Sequence, residues 1–402
     1  MRIIPIAICL GAGVGLLVSA FIWGVVAVKN LVWSQSAWNY SGWLVFFICL
    51  VGGLVVGCIN QFEHNKSSQA HDLDEVFQEV ENIEQNELPS ASHIVRRVGL
   101  GIASLGFGGP LGPEAPLIEI ASQMSARLAS VLRIARFEAV QISVAGALGA
   151  LFGAPLALAT DEATHSEKPS PQAHRFIQLG PEIIAGVTAF IVFKKLLPGD
   201  GFHSFTGDSG PDNSLIGMNL LWVAVAALLV GCVVRAFQSA LPRVRRVTVS
   251  HVPGGAITAG LLGGAVLGVG GMTNKLVLFS GHHEIQELVD EHRKWSFLLG
   301  IMLLKIVVLL ACLAGGWFGG QIFPMAFIGA ALSLAVGDIV GSHASLMLAG
   351  VGFVAASTVG LRKPLLSLIF GLLFFPTGTW LAMALAAGLA STLIAENAAS
   401  AH

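Results

Sequence analysis

Long apolar runs, many of them broken by glycine or proline, limit what this chain can fold into more than any other feature. A run of about 20 apolar residues crosses a bilayer as a helix, and a Gly or Pro break near mid-depth is typical of broken helices that line a site. Only 11% of the residues are charged, against about 25% in soluble domains. The sequence therefore predicts an all-α polytopic membrane protein in which some helices cross the bilayer and others are broken or re-entrant. The runs lie at about 4–33, 41–61, 99–132, 138–160, 178–197, 215–240, 252–272, 295–318, 322–341, 344–360 and 365–395.

The chain is organised in four parts. The first apolar run is too long for a signal peptide, so residues 1–61 are predicted as retained N-terminal membrane helices. Residues 62–98 form a polar insert with a short amphipathic helix, whose apolar stripe comprises Val76, Phe77, Val80 and Ile83. The rest of a first half is expected at 99–200 and a second half at 201–402, with no C-terminal regulatory domain.

An internal repeat relates the two halves. GPEAP is followed by AGALGALFGAP in the first half, and GGQIFP is followed by AGVGFVAASTVGLRKP in the second. Pro116 and Pro324 lie 208 positions apart, and Pro155 and Pro364 lie 209 positions apart. Two similar halves with broken helices at corresponding positions predict a transporter whose site lies at the repeat interface.

The GPEAP segment places a carboxylate, Glu114, where an apolar helix begins. Proline is tolerated in a first helical turn, and the free N–H groups and positive dipole end there can bind an anion without a cationic side chain. Pro324 opens a second such helix. Glu114 would compete with an anion held between the two helix starts and would leave when it is protonated. The other interpretation is an acid that caps a helix at the membrane surface.

These segments resemble the CLC family of chloride channels and chloride/proton antiporters. GPEAP at 112–116 is similar to its G-[RK]-E-G-P motif, and GGQIFP at 319–324 is similar to G-x-F-x-P with the Phe one place later. AGALGALFGAPLA at 145–157 resembles A-A-x-x-A-x-F-x-A-P-L-A, and Lys305 lies where many members have a basic residue. The resemblance runs from about 95 to 395 and, more loosely, over the first two helices.

The resemblance implies a CLC-type inverted-repeat fold of tilted and re-entrant helices, and a homodimer in which each subunit holds its own pore. A small inorganic anion, chloride first, would be the transported species, and a divergent bacterial branch points to the inner membrane. Glu114 would gate the path and, in an antiporter, pass the proton. No cofactor or metal is implied. The implied anion-binding residues are Gly112, Pro113, Ala115, Gln321, Ile322 and Phe323.

The inner end of the path departs from the family pattern. The serine motif G-S-G-x-P is not recognisable, which leaves Ser67 or Ser68 as candidate inner anion ligands. Asp161 and Glu162 are candidate inner proton acceptors, although they come earlier than the family's internal glutamate and could equally end a solvated helix. The family's inner tyrosine is missing, because Tyr40 is the only tyrosine in the chain.

Other polar residues have competing interpretations. Glu119 is either a functional intramembrane acid or one that is satisfied by a structural hydrogen bond. His282 and His283 are adjacent and would point apart on a helix, so a solvated helix face is predicted rather than a metal site. The positive-inside rule predicts that three basic clusters are cytoplasmic. They are Arg96–Arg97, Arg127/Arg133/Arg136 and Arg243/Arg245/Arg246.

Several other functions are considered beside a proton-coupled anion transporter. A passive channel for chloride or fluoride would use the same helix starts without moving protons. An inverted-repeat transporter of organic anions would need a larger cavity with cationic or aromatic side chains. A membrane-embedded enzyme would need a nucleophile–base pair or a metal helix inside the spans, and none is recognisable. The net charge of −2 gives no basic surface for nucleic acid.

Overall fold

The structure is a computed structural model that describes residues 3–33, 42–62, 88, 90–153, 180–197, 204–206, 218–342 and 344–399. Within these ranges the chain forms fourteen α-helices and, apart from one isolated two-residue bridge, no strand. The all-α prediction is therefore confirmed. The helices are α1 (Ile3–Val32), α2 (Gly42–Gln61), α3 (Ala91–Gly106), α4 (Glu114–Leu132), α5 (Arg136–Phe152), α6 (Gly180–Leu196), α7 (Met218–His251), α8 (Gly255–Thr273), α9 (Glu284–Asp290), α10 (Trp295–Ala314), α11 (Ile322–Val340), α12 (Ser345–Leu361), α13 (Pro364–Phe374) and α14 (Trp380–Ala399).

Seven helical segments in the described part of the chain are long and apolar enough to cross a membrane. Their outer surfaces carry large apolar side chains such as Trp23, Leu31 and Trp43, each more than half exposed. Lipid tails can cover such side chains, whereas water would not favour them. This pattern confirms a multi-pass membrane protein.

Two of the predicted apolar runs prove to be broken. The run at 99–132 divides into α3 and α4 because Gly106 ends the first helix and Pro113 precedes the second. The run at 365–395 divides into α13 and α14 around Pro376. Conversely, α7 continues to His251 with Pro242 inside it, eleven residues past the predicted end of its run. The predicted amphipathic helix at 76–83 lies outside the described residues.

The repeat predicted from the motifs is visible in the helices. α4 and α11 each have 19 residues and start 208 positions apart, and α5 and α12 each have 17 residues and start 209 positions apart. Gly112 and Gly320, also 208 apart, form an antiparallel bridge in which each amide donates to the carbonyl of the other, at 2.9 and 2.7 Å. Reciprocal bonding between equivalent residues requires a local pseudo-twofold axis between them. The chain therefore leaves this bridge in opposite directions in the two halves.

Small residues let the helices approach at backbone distance. Between α2 and α8, a Cβ built on Gly57 would lie 2.6 Å from the Cα of Ile257, and one built on Gly260 would lie 2.8 Å from the amide of Gly57. Close packing of this kind holds membrane helices together where burial of apolar surface from water contributes little.

Two opposite faces of the molecule can be told apart. α8 has 19 residues, a length of about 28 Å, so its two ends lie near different faces. It begins just after the end of α7 that carries Arg243, Arg245 and Arg246. It ends just before segment 282–294, which holds four acidic and two basic residues. By the positive-inside rule we expect the arginine end to be cytoplasmic and segment 282–294 to be external.

Candidate functional site

Glu114 is the first residue of α4 and is fully buried, with 0% of its surface exposed. Pro113 takes the N-cap position and Pro116 lies in the first turn. A proline there costs no hydrogen bond, because the first amides of a helix have no intrahelical partner. Pro113, Glu114 and Pro116 therefore start a helix in the buried interior of the protein, as the sequence predicts.

The carboxylate of Glu114 meets the start of the symmetry-related helix. Its Oε1 accepts a hydrogen bond of 3.0 Å from the amide of Ile322, the first residue of α11. Its Oε2 is buried without a hydrogen-bond partner among the described residues. A helix N-terminus favours a negative charge through its free amides and its dipole. One carboxylate thus lies against backbone amides that favour a negative charge.

Gly112 and Gly320 form the walls on either side of this carboxylate. A Cβ built on either residue would overlap the carboxyl group of Glu114. Neither glycine has a positive φ, so backbone conformation does not require them. Space does, because the carboxylate fits between the paired segments only where no side chain is present.

The six residues predicted to bind an anion lie together around the bridge, but their amides differ in availability. Gly112 N–H already donates to Gly320, and Pro113 has no N–H to offer. The amide of Ile322 is occupied by Glu114, and the amide of Phe323 also faces that carboxylate. Ala115 is fully buried in the first turn of α4. The arrangement allows an anion at the α11 start only when the carboxylate leaves.

Gln321, the N-cap of α11, lines a small cavity of about 20 Å³ together with Ile322. This volume suits about one water molecule. Ser357 of α12 also lines it, and its hydroxyl is buried without a hydrogen-bond partner among the described residues. Ser357 was not predicted, since a serine within AGVGFVAASTVGLRKP has no spacing that points to the site.

A family model described as voltage gated chloride channel matches residues 52–396. The chain belongs to this family. The CLC resemblance is thereby confirmed, and the chain is a membrane protein for ion transport. Members of the voltage gated chloride channel family are transporters or channels.

Similar proteins agree with this assignment. YfeO of Escherichia coli strain UMN026, provisionally named for ion transport, is 26% identical over 369 residues, which is 88% of this chain and 83% of YfeO. YfeO of Shigella flexneri is 25% identical over 369 residues, with the same coverage of the two chains.

Solved structures show the same fold. A slow cyanobacterial Cl⁻/H⁺ antiporter has a TM-score of 0.82 at 17% identity, covering 99% of this chain and 95% of that chain. A CLC-type fluoride/proton antiporter has a TM-score of 0.78 at 18% identity, covering 97% and 94%. These likenesses confirm the CLC-type fold of tilted and re-entrant helices.

Glu119, five residues beyond Glu114, is held by a structural ion pair. Arg97 of α3 donates to both of its carboxylate oxygens, at 2.7 and 2.6 Å, and Gln123 donates at 2.9 Å. The guanidinium of Arg97 also lies 3.8 Å from the ring centre of Phe318, whose amide donates to the hydroxyl of Ser104 at 3.0 Å. The side chain of Arg97, which was counted in a basic cluster predicted to be cytoplasmic, is buried against this carboxylate.

Lys305, which lies where many members of the CLC family have a basic residue, also has a structural role. Its buried ammonium donates to four consecutive carbonyls, those of residues 276–279, at 2.8 to 3.2 Å. It therefore holds the loop before α9 against α10. The lysine does not reach the Glu114 carboxylate, so the site keeps its backbone character.

Four predicted inner residues fall outside the described part of the chain: Ser67, Ser68, Asp161 and Glu162. Their roles stay predictions. His282 and His283 are described, and they lie in the turn that precedes α9 instead of on a solvated helix face. His282 is half-buried, with its ring 5.3 Å from that of Phe323.

Proposed function

We propose that this chain exchanges a small inorganic anion, chloride first, for protons across the bacterial inner membrane. The observation that carries the proposal is the hydrogen bond from the amide of Ile322 to the carboxylate of Glu114. A carboxylate in the backbone site of another helix start is a competitor for an anion there. The family match and the antiporters of similar fold support the same activity.

The chemistry follows from charge. While Glu114 is ionised, it is stabilised by the α11 amides and excludes a second negative charge from them. Protonation removes the charge, weakens the hydrogen bond from Ile322 and lets the side chain leave. An anion can then bind the freed amides, with Ala115 and Phe323 nearby. When the anion departs, the carboxylate returns and releases its proton. In the proposed exchange, Glu114 takes up this proton from one side of the membrane and releases it to the other, while the anion crosses in the opposite direction.

Backbone ligands favour a small, partly dehydrated ion. Amides bind an anion without the strong attraction of a full positive charge, so that it can also leave. The space between the bridge glycines is filled by one carboxylate, which matches the size of a small anion. A homodimer with one such path in each subunit is part of the proposal.

The test is to reconstitute the protein in liposomes, impose a chloride gradient and record chloride and proton fluxes together. We expect wild type to move protons against chloride, and Glu114→Gln to pass chloride without protons. Glu138→Gln is the matched control, because Glu138 lies in the first turn of α5, away from the bridge. Parallel runs with fluoride establish which halide is preferred.

The outcomes separate the competing functions. Chloride flux without proton movement in wild type would leave a passive channel as the function. No flux of any small anion, in wild type or in either variant, would refute the transport proposal. Equal proton coupling in wild type and Glu114→Gln would refute the gate.

A further inference from the structure

The loop before α9 is fixed in place at the expected external end of the site. Lys305 binds four of its carbonyls, as described above. Gly281 has a φ of +91°, and a Cβ built there would lie 2.9 Å from the Cβ of Phe327 on α11. A loop held by a buried ammonium and by close backbone packing presents its side chains in a defined position.

This loop carries two histidines directly over the start of α11. The rings of His282 and His283 lie 3.8 Å apart, centre to centre, and that of His282 also contacts Phe323. Both histidines line two cavities, of about 240 and about 380 Å³. Pro113, the residue before the gate, lines the first cavity, and Phe323 lines the second. The imidazoles therefore lie in the wall that both cavities share, next to the two helix starts.

Among the described residues, the permanent charges that line the first cavity cancel. Lys29 of α1 and Glu284 of α9 both line it, one positive and one negative. The ammonium of Lys29 lies 4.3 Å from the ring centre of Phe279. With neutral imidazoles the described lining has no net charge, and each proton that His282 or His283 takes up makes it more positive.

Ser280 gives the cavity a hydroxyl whose direction depends on the same protons. It is buried, it lines the first cavity, and its Oγ lies 2.6 Å from Nδ1 of His282. In a protonated imidazole both ring nitrogens are donors, so the serine oxygen must accept from Nδ1. Its hydroxyl hydrogen is then directed to another acceptor. Protonation thus supplies both a positive charge and a free donor.

We propose that His282 and His283, with Ser280 and Lys29, form a second binding site for a small inorganic anion at the expected external mouth. The site is occupied when the imidazoles are protonated, and it supplies anions to the helix starts below. The inference rests on the proposed transport for its role, but not for the binding itself.

The charged groups near the two histidines determine how anion binding at the mouth depends on pH. Lys29 from α1 and Glu284 from α9 face the first cavity, and Glu114 lies behind Pro113. The described residues that line the second cavity include no charged side chain other than these histidines. Histidine titrates between about pH 5 and 8, so anion binding at the mouth rises as the external pH falls through that interval.

Histidine NMR of the full chain in nanodiscs tests the site without transport. The probe is chloride, added at about pH 5 and about pH 8, with gluconate replacing it at equal ionic strength. We expect saturable shifts of the His282 and His283 ring signals, with chloride at least about fivefold tighter at the lower pH. His292 is the matched control, because it lies in the same external segment and does not line either cavity.

Variants confirm the source of the effect. The double change His282→Gln and His283→Gln should reduce the pH dependence of chloride affinity to the part that Glu114 contributes, whereas His292→Gln should leave it as in wild type. Absence of chloride-dependent shifts at the lower pH, or equal shifts at His292, would overturn the proposal.

Liposome flux distinguishes failure of this site from failure of the proposed function. Ring shifts in a protein that moves no anion would support the mouth site and refute the transport role. Flux in a protein whose histidines show no chloride response would support transport and refute the mouth site. In the expected case, lowering the pH equally on both sides, which adds no proton gradient, stimulates wild-type chloride uptake more than it stimulates uptake by the double variant.

Discussion

The buried ion pair between Arg97 and Glu119 offers a quantitative test of how α3 is fixed to α4. The two side chains are only 1% and 3% exposed and meet through two hydrogen bonds, with Gln123 as a third partner. Glu119→Leu would leave a guanidinium in the interior without its carboxylate. Arg97→Met would leave the carboxylate with a single amide donor. The double variant removes both charges and keeps the volume.

The expected magnitudes follow from the cost of an uncompensated buried charge. Removing one partner of a buried pair costs about 3–5 kcal/mol, whereas replacing both by apolar groups of similar volume is often neutral or stabilising. We therefore expect each single variant to lose about 3–5 kcal/mol of unfolding free energy. We expect the double variant to remain within about 1 kcal/mol of wild type.

Denaturant unfolding in mixed micelles, followed by tryptophan fluorescence, measures these free energies in a double-mutant cycle. Glu138→Leu serves as the control, since that glutamate is only half-buried at the start of α5, and its loss should change stability by about 0.5 kcal/mol or less. Additive single effects, or a loss below about 1 kcal/mol for Glu119→Leu, would refute the idea that the pair compensates two buried charges.

Three further changes test the site and its supports. Gly320→Ala places a methyl group where the carboxylate of Glu114 lies, so we expect chloride flux in liposomes that depends less steeply on pH than in wild type. Gly300→Ala, where the added Cβ meets open space, should keep the wild-type profile. Lys305→Met leaves four carbonyls of the loop before α9 without their donor, so the loop should open more often. Hydrogen exchange measured by mass spectrometry should then become faster in this loop, while exchange in α2 stays unchanged. Gly53→Val overpacks the contact between α2 and α8, so the free energy of unfolding, measured by thermal unfolding, should fall by about 1–3 kcal/mol. An unchanged free energy would mean that the two backbones are not in close contact.

The architecture could be predicted from the sequence because its signals are local or periodic. Hydropathy locates the helices, and the paired prolines locate the repeat, so Pro116 and Pro324 predicted two equivalent helix starts before any contact was known. The positions of the breaks were harder to predict. Pro242 is tolerated inside α7, whereas Pro376 separates two helices, and only the surrounding packing decides between these results.

Sequence chemistry was enough to predict the central residues of the candidate site. Residues whose role depends on contacts with distant parts of the chain were not predicted. Glu114 and Ile322 were both named, because a carboxylate and a helix start each have a recognisable sequence. Arg97, Ser104 and Ser357 were not assigned to the site or its supports. The partner of Arg97 lies 22 positions away, the partner of Ser104 lies 214 positions away, and Ser357 lines a cavity. The sequence of an apolar helix does not show which distant residue a polar side chain will contact.

The pseudo-twofold axis explains why this site has one acid and not two. Glu114 and Ile322 are equivalent positions, 208 residues apart, so the carboxylate of one half accepts from the amide of its own counterpart in the other half. A glutamate at both positions would bring two carboxylates into one small buried space, and one of them would have to stay protonated. With isoleucine at the second position, the symmetric backbone provides two facing helix starts and the asymmetric side chain provides a single carboxylate between them. One proton neutralises a single carboxylate, which is what the proposed exchange of an anion against a proton requires.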